Sequence, residues 1–105
     1  LKTYELYKLG LSIPEIAAER KLAETTIFSH IAKLYAEGKD INLMQFIDKA
    51  DLETIKEAKE ALGNPDSLKT YFEHFEEAIS YATIRIGLTI LNKEIPPLHN
   101  YQPFI

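Results

Sequence analysis

Six side chains between residues 21 and 33 have the types and spacing to hold a phosphate backbone: Lys21, Thr25, Phe28, Ser29, His30 and Lys33. Lysine ammonium groups meet phosphate oxygens as point charges, and Thr and Ser hydroxyls donate to phosphates or base edges. An exposed Phe ring stacks on an unpaired base, worth about 1–3 kcal/mol. His30 sits at the edge of an apolar helix face, where a histidine either packs or touches a phosphate. With Ile27 inward and a turn of ~100° per residue, Thr25, Ser29, Ala32 and Ala36 point outward. The stretch holds no Arg or Asn for bidentate base reading, so the expected DNA binding is weak and not sequence-specific. Phe28 and Tyr35 share one flank, where packing on the rest of the chain is the competing role.

Other chemistry finds little support. There is no G-x-x-x-x-G-K-[ST] loop, so ATP hydrolysis by that route is excluded, and there is no nucleophile elbow or HExxH. His30, His74 and His99 are not paired at i, i+4, which argues against zinc. The run Glu73-His74-Phe75-Glu76-Glu77 resembles a catalytic cluster in print only. Consecutive helical residues spread around the axis, so a solvated acidic face is expected.

The elements that must position these residues are helical. Ser12 and Glu15 form an S-x-x-E capping box. The expected helices are Lys2–Leu9 with Leu6 and Leu9 inward, Ile13–Arg20, and Glu24–Glu37 stopped by Gly38. Leu22, between the last two, counts among the apolar contacts. Ile41–Leu43 alternates briefly, as a short extended piece would. Asp48 then caps a helix ending at Gly63-Asn64-Pro65, Asp66 or Ser67 caps one running to about Glu77, and Ser80 caps a last helix to about Lys93. Ile95-Pro96-Pro97 ends it. The tail to Ile105 reads as extended, with Leu98, Tyr101 and Phe104 available to pack on this chain or on a partner.

The chain has 105 residues, 46% hydrophobic and 27% charged, and no Cys. This suits one soluble domain, or two small units sharing a core, without disulfides. No apolar run approaches the ~20 residues of a membrane span. The opening Leu, entering a helix almost at once, suggests a piece of a longer protein. Net charge is −4, adverse to nonspecific DNA binding. The first 38 residues balance five basic against five acidic groups, whereas residues 39–105 carry seven against eleven.

Ala23–Leu34 and Ser80–Leu91 align at an offset of 57, with Thr26 and Ile27 matching Thr83 and Ile84, and Ile31 and Leu34 meeting Leu88 and Leu91. Two tandem three-helix units would produce this, as would the spacing common to amphipathic helices. The second copy differs in turning Ile86 outward beside Ile90, so that helix is apolar nearly all round and expected to be buried.

Short helices joined by a tight turn, with L-G-L-S, E-I-A and T-I-x-x-H-I in order, follow the helix-turn-helix plan. The longer run GLSIPEIAAERKLAETTIFSHIAKL, then Gly38, Ile41-Asn42-Leu43, a long helix and ISYATIRIGLTIL, resembles the C-terminal helix-turn-helix domain of RecQ-type DNA helicases over roughly residues 3–92. It is also similar to the domain late in the Werner-syndrome helicase. Ala82 and Thr83 depart from the family's I-S-Y-G-E-I-R. The resemblance implies an accessory domain of an ATP-dependent 3′–5′ helicase in recombination and repair, with ATP and magnesium at an upstream motor and no cofactor here. It also implies DNA and other domains of the parent helicase as partners, and a cytoplasmic, nucleoid-associated location.

The expected fold is all-α, with a helix-turn-helix unit over 1–40, a second three-helix unit over 41–94 packed on it, and a tail over 95–105. Two alternatives stand beside the helicase reading. One is a protein-docking module using the small outer residues Thr25, Ser29, Ala32 and Ala36. The other is a transcription regulator.

Overall fold

The computed structural model describes residues 2–94. The expected tail over 95–105, including Leu98, Tyr101 and Phe104, and the helix stop at Ile95-Pro96-Pro97 lie outside them. Within these bounds the chain is all-α, without strands: α1 Lys2–Lys8, α2 Ile13–Arg20, α3 Glu24–Ala36, α4 Lys49–Ala61, α5 Leu68–His74 and α6 Tyr81–Glu94, with one 3-10 turn at Leu43–Phe46. The turn begins at Leu43, the last residue of the expected extended piece, and Ile41 and Asn42 lie in irregular backbone. No described helix is long and apolar enough to cross a membrane.

The capping box is complete. Ser12 Oγ accepts from the Glu15 N–H at 3.3 Å, and Glu15 Oε1 accepts from the Ser12 N–H at 2.8 Å. Pro14 carries no N–H, so the start of α2 has three orphan donors, and the box satisfies two of them. Ser80 caps α6 by accepting from the Thr83 N–H at 3.1 Å. Asp48 and Ser67 occupy the N-cap positions of α4 and α5 without a side-chain cap bond.

Helices α1 to α5 all end in the same two-bond closure, in which one N–H reaches back three residues and the next reaches back five. The pivot residues are Gly10, Lys21, Gly38, Gly63 and Glu76, all at positive φ. At Gly38 the bonds run to the Tyr35 and Leu34 carbonyls. Lys21 and Glu76 adopt the same left-handed geometry, at φ 58° and 52°, with a side chain that resists it. The closure at Glu76 stops α5 at His74, short of the expected Glu77. The closure at Gly10 stops α1 at Lys8 and turns Leu9 to solvent, 75% exposed, against its expected inward place. Leu22, in the turn after Lys21, is also exposed.

One core runs from Leu6 to Leu91, with Ile16, Ile27, Ile31, Ile55, Ile84 and Ile86 fully buried at its centre. The burial of Ile86 and Ile90 agrees with a last helix apolar nearly all round. Helix α6 packs on α3, α4 and α5. Its approach to α4 passes through Gly87, where an added Cβ would lie 2.7 Å from Ile55 Cδ1.

Helices α3 and α6 run side by side in the same direction. Thr25, Thr26 and Ser29 meet Tyr81, Ala82 and Arg85 at one end. At the other, Lys93 Nζ donates to the Tyr35 carbonyl at 2.9 Å and lies 4.3 Å above the Tyr35 ring. Residues about 57 apart are thus level across the seam. Ala32, expected to point outward with Thr25, is 4% exposed, on the helix that α6 packs along. The 3.6-residue period of α3 alone puts Ala32 on the face of Thr25, and only the packing of α6 on α3 covers part of that face.

Candidate nucleic-acid interface

The turn Lys21-Leu22-Ala23 joins α2 to α3 and fixes which side of α3 is left open. Ile27, Ile31 and Leu34 face the core, and Ala32 is covered. What remains is a strip along Thr25, Thr26, Ser29, Lys33 and Ala36, each exposed or partly exposed, with the exposed carboxylate of Glu24 at its start. This is the geometry of the second helix of a helix-turn-helix, the one usually presented to a groove.

A recess flanks the strip on each side. Toward α6, Thr25, Thr26 and Ser29 share a groove of about 240 Å³ with Tyr81, Ala82 and Arg85. Tyr81 is 42% exposed and stacks on Phe72, with centroids 4.3 Å apart and the rings 20° from parallel. Toward α1 and α2, His30, Lys33, Leu34 and Glu37 share a cleft of about 430 Å³ with Lys2, Thr3 and Arg20. The α3 hydroxyls therefore lie between two arginines, Arg85 on one side and Arg20 on the other.

His30 is the best-anchored polar group of the six sequence candidates. Arg20 donates to Thr3 Oγ1, and both Thr3 Oγ1 and Arg20 Nη1 lie at hydrogen-bond distance from His30 Nδ1, at 3.1 and 3.3 Å. Because a guanidinium has only donors, Nδ1 presents its lone pair and the ring is neutral, with its proton on Nε2. Burial, followed by the positive charges of Arg20 and Lys33, holds the His30 pKa below its ordinary value of 6.5.

The remaining candidates separate. Thr25 and Ser29 share the α6 groove, and His30 and Lys33 share the cleft. Lys21 stands exposed on the turn, lining neither recess. Phe28 is half-buried and packs edge-on against Phe46, centroids 5.9 Å apart, which is the packing role weighed for it. Arg20, Arg85, Lys2, Thr3 and Tyr81 escaped the sequence reading. The offset of 57 pairs Arg85 with Phe28, but only the parallel course of α3 and α6 makes that pairing spatial. Among the described residues no group of three or more His, Asp or Glu side chains could hold a metal ion.

An exposed helix set by a tight turn on a three-helix support defines the class. Residues 1–88 match a helix-turn-helix domain family, and the chain belongs to that family. It is also similar to a protein of Psychrobacter sp. (strain PRwf-1) named ATP-dependent DNA helicase Pif1, at 27% identity over 119 aligned residues. The match covers 88% of this chain and 18% of that helicase, so the chain spans under a fifth of the relative's length. The relative carries the name of a different helicase family from the RecQ type that the sequence resembles. No solved structure matches the chain.

Proposed function

We propose that this helix-turn-helix domain is a non-catalytic accessory domain of an ATP-dependent DNA helicase, engaging DNA with the open strip of α3. The observation that carries this reading is the strip itself: Thr25, Thr26, Ser29 and Lys33 stay open on α3 with Arg85 and Arg20 beside them, the exposed Glu24 at the helix start being the one acidic neighbour within α3. Hydroxyls and cations in that order suit phosphates, and Lys21 extends the line at the turn. Base-specific readout stays weak because α3 itself offers no Arg or Asn. Affinity for backbone without sequence preference suits a domain that helps a motor stay on its track.

In the finer proposal the parent is a RecQ-type 3′–5′ helicase of recombination and repair, nucleoid-associated in the cytoplasm, with ATP and magnesium at its motor. The segment Ile79–Arg85 favours RecQ and the similarity to a Pif1-named helicase favours another parent; motor motifs in the full gene decide. The docking reading is narrower than the sequence suggested, because burial of Ala32 leaves only Ala36 beside the hydroxyls as a small outer residue.

The test is a titration of the chain against forked, single-stranded and duplex DNA at low and moderate salt. Lys21→Glu/Lys33→Glu and Arg85→Glu variants are run in parallel. Binding should weaken with salt, and each lost contact should flatten the log–log slope by about 0.7–0.9. No binding to any DNA at low salt would reject the proposal in favour of protein docking.

A further inference from the structure

The cleft between α1, the end of α2 and the second half of α3 carries more positive charge than its surroundings explain. Lys2, Arg20 and Lys33 line it against one carboxylate, Glu37. Among the described residues the ion pairs are Lys8–Asp40 and Lys69–Glu73, so none of the three cations has an acidic partner at salt-bridge distance. Like charges collected in one concavity raise each other's energy, and an anion placed among them relieves it.

The donors are also held in place. Thr3 is 2% exposed, accepts from Arg20 and occupies one side of His30 Nδ1. That arrangement ties α1, α2 and α3 together and leaves the His30 Nε2–H as a donor. The cleft therefore offers the remaining guanidinium N–H groups, two ammonium groups and an imidazole N–H. Its volume of about 430 Å³ is that of a small-ligand site, commonly about 300–1,000 Å³.

We propose that this cleft binds a phosphate group, either at a phosphorylated strand end or as the free anion. Guanidinium recognition of phosphate is geometrically specific, and the flanking lysines supply charge. The site uses no residue of the α3–α6 groove but shares Lys33 and Arg20 with the strip proposed to engage DNA, so it extends that reading by assigning a phosphate-binding role to the other flank of α3.

The test follows the His30 ring resonances by NMR while the chain is titrated with inorganic phosphate, against sodium chloride at equal ionic strength. Phosphate should produce a saturating shift and raise the His30 pKa, because a bound anion favours the charged ring. Lys2→Gln/Lys33→Gln, at two exposed positions, should weaken phosphate at least fivefold with an unchanged circular dichroism spectrum, while Arg85→Gln leaves it intact. An equal response to chloride, or unchanged affinity in the double variant, would overturn the proposal. Single-stranded oligonucleotides with 5′-phosphate and 5′-hydroxyl ends then identify the source. Preference for the phosphorylated end assigns the site to a strand end, and no preference assigns it to the free anion. If no DNA binds while phosphate still moves His30, the proposed DNA role fails and the cleft remains.

Discussion

His30 couples the acid sensitivity of the fold to a specific contact. Its folded pKa lies below 6.5, so between the two values the unfolded chain holds more protons than the folded one. Its neutral-ring contribution is therefore complete above about pH 6.5 and declines as the pH falls toward the lowered folded value. Urea unfolding from pH 7.5 to 5 should show this decline, and His30→Gln should flatten it. Tyr71 makes the opposite case. It is fully buried, and its hydroxyl has no hydrogen-bond partner among the described residues. Tyr71→Phe removes an unsatisfied group while keeping the ring, and is expected to be neutral or to stabilise by about 1 kcal/mol, read as a higher urea midpoint.

At the scale of elements, much was legible in sequence. The Ser12–Glu15 box, Gly38 and the Gly63-Asn64-Pro65 cluster mark their boundaries through short-range backbone chemistry, and the structure places helix ends close by. What failed depended on neighbours distant in the chain, or, at Leu9, on a local helix closure that the apolar spacing does not show. Ala32 reads as outward on a wheel but is covered by the seam with α6, and Leu9 reads as inward until the closure at Gly10 turns it out. Arg20 and Arg85 gain meaning only when α2 and α6 are brought against α3. Two predictions belong here. Ile86→Asp places a carboxylate in the core of α6 and should unfold or aggregate the domain, whereas Thr25→Arg should keep full helical circular dichroism; a folded Ile86→Asp or an unfolded Thr25→Arg would contradict the seam. Glu76→Gly relieves a left-handed residue at the α5 closure and should stabilise by about 1 kcal/mol, raising Tm by roughly 4–8 °C.

For the molecule as a whole, α6 packs on three of the other five helices, including the one that carries the candidate interface. Matched positions of α3 and α6, such as Ile27 with Ile84 and Leu34 with Leu91, are all buried in one core. A boundary near residue 40 separates two sets of three helices in sequence, but the packing crosses it throughout. Residues 1–40 alone should therefore show little helix and no cooperative melting transition, and a sharp transition in that fragment would show that α1–α3 fold unaided. The same dependence sets an order of events during synthesis. Helix α3 emerges from the ribosome more than fifty residues before the end of α6, so its apolar flank stays uncovered through most of translation. The strip proposed to engage DNA acquires its final shape only after residue 94 is free, and until then the first half of the domain is the part a chaperone would have to shield.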